Sequence, residues 1–551
     1  MTLGSSDPER RAVVNMVTEI GTGHAQVWRD RQEMASAPQV PALPDRAPHR
    51  LIITFCTVGA TLMQALDQTI ANVALPYMQG SLSATYDEIT WVLTSYITAA
   101  AIMTAPVGWL ASRFGRKYLF ITCLVGFTVA SMMCGAAQSL TQMVVFRLLQ
   151  GVFGAALVPL SQSTMIDIYP VEQRGKAMAI WGVGVMIGPI LGPTLGGYLT
   201  EMYNWRYVFY INLPFGILAT LGLIFFLPRS FGNFNLRFDW IGFGVLSLGI
   251  GGLQMMLDRG QVQDWFTSTE VIVEAVIGGL GIYLFIVHMI TAQKPFIPII
   301  LFKDRNFAAG LVLMFAIGTI LVSSSALMAP WLQNLANYPV ETAGLIMAPR
   351  GIGTMTAMMS GGRLASRFDP RKLMAGGILM LAWSMWEMAT WTPDISQWTI
   401  IMTIMVQGAG LGFAFLPLQV LAFATLPPQY RTDGASLFSL FRNIGSAVGV
   451  SVTSSLLAHN TQVLHEQIGA SITPFNRALQ GGGVISRAWN PMHPHGAALM
   501  DQLVNRQAQI TAYIDYWMMI FTTLPALALL FLLSRPKPSS PAAGKAHTAI
   551  D

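Results

Sequence analysis

Charged side chains stand inside long apolar runs, among them Asp67, Arg147, Glu387 and Arg442. An ionised group at hydrocarbon depth costs roughly 2.5–3.5 kcal/mol on insertion scales, so it is met by a partner or a watery cavity and often serves a transported ion. Asp67 lies in LIITFCTVGATLMQALDQTIANVALP, Leu51 to Pro76. A carboxylate there can bind and release a proton; a nearby cation lowers its proton affinity, and loss of the cation raises it. Gln64, Gln68 and Asn72 are spaced by four and share one helical face beside it. The plain alternative is a structural acid satisfied by a neighbouring helix.

Arg147 precedes Gln150-Gly151 in another run. It is the natural partner of Asp67 if the two helices face each other, or it snorkels from a helix end. Glu387, between Trp386 and Met388, is either an extra proton or cation site or a helix-end acid shortly before Pro393. Asp67, Arg147 and Glu387 form the candidate proton-coupling set. Arg442, next to Asn443, either faces a central cavity and favours anionic cargo or marks a membrane boundary.

The elements that position these residues are membrane helices. Of the 551 residues, 53% are apolar and 11% charged, against about 25% charged in a soluble chain. Mean hydropathy is +0.52. Fourteen apolar segments are long enough to read as spans: 51–76, 90–110, 119–136, 142–167, 177–199, 207–227, 239–257, 270–291, 307–332, 341–362, 373–391, 398–424, 436–459 and 511–534. Residues 1–50 are polar and without a signal-peptide pattern, which leaves the first span as an uncleaved insertion signal.

Lys and Arg gather in alternate short loops: Arg113, Arg116 and Lys117; Arg174 and Lys176; Arg229 and Arg237; Lys294, Lys303 and Arg305; Arg363, Arg367, Arg371 and Lys372; Arg431. The intervening short loops hold only Arg206 and Arg259. The positive-inside rule then places both termini, including the tail 535–551, in the cytoplasm. The net charge of +5 resides in such loops and does not point to nucleic acid. The long outer loop, 460–510, reads as a connector or a docking surface, with an amphipathic stretch at 497–509.

The five residues Leu110–Phe114 recur as Leu364–Phe368, each followed by a basic pair, and Gln150-Gly151 is echoed by Gln407-Gly408. Residues 51–227 and 307–534 therefore read as two six-helix bundles, with two inserted helices at 239–291. Such repeats are typical of transporters whose site lies between the halves near the bilayer midplane. Roomy sites of this kind are walled by aromatic, Met and polar residues. Candidates are Gln68, Asn72, Trp91, Tyr96, Gln150, Met328, Trp331, Gln333, Gln407, Phe413, Phe415, Phe438, Phe441 and Arg442. In the fifth span Gly184, Gly188, Gly192 and Gly196 form a smooth stripe for close helix approach. Pro189 and Pro193 allow a bend there.

The chain offers no nucleophile–base constellation, no metal-ligand cluster and no phosphate-binding loop, which argues against an enzyme or a direct ATP drive. The three cysteines, Cys56, Cys123 and Cys134, lie in spans and set up no disulfide framework.

GWLASRFGRK, Gly108 to Lys117, resembles the major facilitator signature Gly-x-x-x-Asp-Arg-x-Gly-Arg-Lys through Gly108, Arg113, Gly115, Arg116 and Lys117. The acidic position is Ser112, which removes the carboxylate of the family's interhelical latch. GPILGPTLGG, carrying Gly188, Pro189, Gly192, Pro193, Gly196 and Gly197, is similar to the antiporter signature of drug exporters. With LDQTIANVALP, RLLQGVFGAALVPLSQS, LDRG and LFKDRNF, the chain from about 50 to 535 resembles the fourteen-span drug:proton antiporters of the superfamily, most of all the EmrB type. The resemblance implies export of lipophilic toxic compounds in exchange for protons across a bacterial inner membrane. It implies no cofactor beyond the proton gradient. It also implies a periplasmic adaptor of EmrA type and a TolC-like outer-membrane channel. An exporter of a single metabolite or siderophore would share this pattern; a non-transporting scaffold or sensor is the reading from another class.

Overall fold

The computed structural model describes residues 49–523 except 90, 171–172, 261–262, 293–294, 365–367 and 473–493. Its longer helices are α1 (Arg50–Ser81), α2 (Trp91–Thr104), α3 (Val107–Phe114), α4 (Arg116–Ala136), α5 (Leu140–Gly154), α6 (Leu157–Ile168), α7 (Arg174–Met202) and α8 (Asn212–Phe226). There follow α9 (Trp240–Arg259), α10 (Thr269–Thr291), α11 (Arg305–Pro330), α12 (Val340–Leu364), α13 (Pro370–Met388), α14 (Gln397–Ala424), α15 (Arg431–Ala470) and α16 (Pro494–Thr523).

Among the described residues, nine helical stretches are long and apolar enough to cross a membrane, ten if the bent pair α2–α3 counts as one span. The expected segments 177–199, 341–362 and 373–391 are each helical, as α7, α12 and α13. Their apolar character is diluted: α7 and α12 are threaded with glycine, and α12 and α13 carry Arg350, Arg363, Arg371 and Lys372. The last expected span, 511–534, is described as far as Thr523, within α16. The second copy of the five-residue repeat falls at 364–368, where 365–367 lie outside the described residues.

Proline places the main breaks. α2 and α3 meet at Pro106 with a bend of 58°, because proline lacks the N–H that would continue the ladder and its ring crowds the preceding turn. After Pro330 the helix loosens into a π-turn, Trp331–Leu335. α3 and α4 are joined at Gly115, whose φ of +85° suits glycine.

The loop expected over 460–510 is shorter than that range. α15 runs on to Ala470 and α16 begins at Pro494, so much of 460–510 is helical. His465 of α15 and Asp501 of α16 approach to 2.9 Å there.

α1 packs along α7 and α8, and α2 and α4 pack on α5; in the second half α12 and α13 pack on α14, and α11 on α15. α7 meets α12 across the middle, backbone against backbone at Gly175 and Gly362. Helices α9 and α10 pair with each other. Only 22% of the apolar window of α10 is buried, against 61% for α14, so α10 turns most of its apolar surface outward, as a lipid-facing helix does.

Candidate transport site

The glycine stripe of α7 brings α1 close and sets the position of Asp67. A Cβ on Gly188 would lie 2.7 Å from the backbone of Ala65 and Leu66, and one on Gly192 would overlap Thr69. Thr69 Oγ1 donates to Gly188 O at 3.2 Å across this seam. Gly197 faces open space, and α7 continues as one helix through Pro189, Pro193 and Gly196.

Asp67 and Arg147 are fully buried and paired: Arg147 Nη1 donates to Asp67 Oδ2 at 2.8 Å. The same Nη1 reaches Gln150 Oε1 at 2.7 Å, and Arg147 Nε donates to Val92 O at 3.1 Å. The other carboxylate oxygen accepts from Gln150 Nε2 at 2.8 Å and from Asn212 Nδ2 at 3.2 Å. Asn212 also donates to Ser131 Oγ. The guanidinium stands 4.5 Å from the Tyr96 ring centroid, and Gln64 Nε2 donates weakly to the Tyr96 hydroxyl at 3.4 Å. Arg147 is thus held by a partner and is not snorkelling. Its Nη2 has no hydrogen-bond partner among the described residues. Desolvating two charges is costly, and these hydrogen bonds offset the cost only while both partners stay charged. Protonating Asp67 would cancel the pair and release Arg147.

Arg147 also borders a cavity of about 810 Å³ between the two halves. Gln68, Asn72, Tyr96 and Arg442 line it as expected, together with Gln333 and Phe415. Eight of the expected wall residues do not. Gln150 is turned onto Asp67. Trp331 packs on Trp391 at 5.2 Å between centroids, with Met328 buried one turn before it. Gln407 is buried against the sulfurs of Met385 and Met388. Trp91 lies under the Arg259 guanidinium, and Phe441 packs against the apolar core. Phe438 is enclosed by Phe307 and Phe423, and Phe413 is likewise outside the cavity wall. Glu387 sits half-buried in the last turn of α13, beyond the cavity lining and away from the Asp67 pair. It matches the helix-end alternative.

At the end of the bundle that carries the basic α3–α4 turn, the missing signature carboxylate is replaced by another. Asp167 of α6 pairs with Arg116 of α4 and, at 2.5 Å, with Arg431 of α15. Asp433 packs directly on Gly108, where a Cβ would overlap its side chain. Arg113 donates to Leu236 O and lies over Trp109, and Gly115 turns tightly against Ser230. Sequence reasoning missed Asp167, Asp433 and Asn212. Asn212 had a legible signal, a lone amide opening an apolar helix.

Residues 57–450 match the family model described as Major Facilitator Superfamily. The chain belongs to the major facilitator superfamily. It is 33% identical over 506 residues to the multidrug export protein EmrB of Escherichia coli strain K12, covering 90% of this chain and 98% of the relative. It is 34% identical over 428 residues to EmrB of Haemophilus influenzae, covering 77% and 84%. Among solved structures, the human organic anion transporter MFSD10 superposes with a TM-score of 0.55 at 14% identity, covering 87% of this chain and all of that one. This member of the superfamily is a membrane transporter and not an enzyme.

Proposed function

We propose that this chain is a proton-coupled multidrug exporter of fourteen spans, exchanging inward protons for outward lipophilic compounds. The observation that carries this reading is the buried Asp67–Arg147 pair beside the cavity between the halves. A proton arriving at Asp67 neutralises the carboxylate, and the freed guanidinium changes the electrostatics of the adjoining wall. The cavity volume falls in the range of drug-sized sites, about 300–1,000 Å³, and its wall mixes apolar side chains with a few amides and hydroxyls. Export by the EmrB relatives supports the cargo class. We place the chain in the inner membrane, with both termini cytoplasmic on the pattern of Lys and Arg in the loops. We also assign it a periplasmic adaptor of EmrA type and a TolC-like channel as partners, as the resemblance of its motifs to EmrB-type pumps implies.

The test is internal pH in proteoliposomes holding a proton gradient, as candidate compounds are added. Cargo-triggered proton efflux that disappears in Asp67→Asn is the expected result. Coupled transport surviving in that variant would overturn the role of Asp67. No proton movement with any compound would overturn the exporter itself.

A further inference from the structure

The inserted helix α9 is part of the cavity and not an appendage. It packs on α2 of the first half and on α15 of the second. Ser451 Oγ of α15 donates to Leu257 O at 2.9 Å, and Trp265 Nε1, just beyond α9, donates to Ser455 Oγ at 3.1 Å. On the other side Ile102 of α2 lies against Gly251. The inward face of α9 supplies Gln254, Leu257 and Asp258 to the cavity wall.

Asp258 differs from Asp67 in what surrounds it. Asp67 is fully buried and accepts from three side chains. Asp258 is open to the cavity, and its partners are the Gln254 amide at 3.0 Å and the Thr94 hydroxyl of α2. Among the described residues it makes no ion pair. The adjacent Arg259 turns away to Glu270 and Glu274 of α10, at 2.6 and 3.1 Å, and Arg147 belongs to Asp67. The other cavity arginines, Arg350 and Arg442, come from α12 and α15. A carboxylate without a counter-cation, facing a largely apolar cavity, is matched by a ligand that brings both a positive charge and an apolar body. Charge pairs gain strength as water is excluded around them.

We infer that Asp258 is a specificity-determining residue that receives the positive charge of amphipathic cations bound in the cavity. The inference rests on the cavity being the cargo site of the exporter proposed above. It assigns the two intramembrane acids different tasks: the proton to Asp67, the cationic cargo to Asp258.

Tetraphenylphosphonium and tetraphenylborate have the same shape and opposite charge, so their binding to the purified chain in detergent isolates charge from fit. Asp258→Asn should weaken tetraphenylphosphonium tenfold or more and leave tetraphenylborate unchanged or tighter. Asp258→Glu should keep the cation. Gln254→Lys, which sets an ammonium beside the carboxylate, should also lose the cation alone and serves if the asparagine variant does not fold. Unchanged cation binding in Asp258→Asn would overturn the assignment, as would equal loss of both ions. Asp67→Asn should still discriminate the two. If charge-selective binding appears while no compound moves protons in the wild type, the exporter reading fails and the cation site stands.

Discussion

Removing one partner of the buried Asp67–Arg147 pair leaves the charge of the other without its counter-ion. Breaking such a buried pair typically costs about 3–5 kcal/mol. Arg147→Ala should therefore lower thermal stability in detergent strongly, and Asp67→Asn should lower it less, since the amide keeps the hydrogen bonds of Gln150 and Asn212 partly in place. Adding Asp67→Asn to Arg147→Ala should restore part of the loss. Equal and additive losses in a melting series would contradict the pairing energy. This pair was legible in the sequence because a charge inside an apolar run is a loud signal. Asp167 and Asp433 were not, because acids near helix ends look like ordinary surface residues until the fold brings Arg116, Arg431 and Gly108 beside them. The cavity wall was only partly legible. In a membrane chain the lipid face, the core and the cavity all favour apolar side chains, so Trp331 and Phe438 looked as suitable as Phe415.

At the scale of helices, the α1–α7 seam sets the position of Asp67 through glycine. Gly188→Ala places a methyl 2.7 Å from the backbone of α1. Overpacking of this kind costs about 1–3 kcal/mol. Gly197→Ala meets nothing within 4 Å, and alanine is favoured over glycine in a helix by up to about 1 kcal/mol. Melting temperatures should separate the two: a clear drop for the first, no drop for the second, and a matching drop for both would place the seam elsewhere. The spans themselves were readable from length and apolarity, and the glycine spacing announced a packing face. Helix breaks were readable only as possibilities, since Pro106 ends a helix while Pro189 and Pro193 stand inside one. The same local chemistry is overridden or expressed according to what packs around it.

At the scale of the whole molecule, the two halves touch at Gly175 and Gly362 and are tied nearby by the Arg116–Asp167–Arg431 bridge. Cysteines placed at 175 and 362 should cross-link readily, because the backbones there are close enough for a disulfide. The native Cys56, Cys123 and Cys134 are buried and should not interfere. Asp167→Asn should reduce the cross-linked fraction at least twofold by loosening that end of the bundle, and an unchanged fraction would show that the bridge does not hold the halves together. The long α15 gives this bridge a wider reach. Its 40 residues span about 60 Å, twice the thickness of a hydrocarbon core. Along that one rod lie Arg431 in the bridge, Arg442 at the cavity, Ser451 against α9, Ser455 against Trp265 just beyond it, and His465 against α16. On the proposed function this helix is a lever that pivots at the cavity. A tilt of about 5° near Arg442 would swing the far tip, about 42 Å away, by about 4 Å, so occupancy of the cavity would be signalled mechanically beyond the bilayer surface.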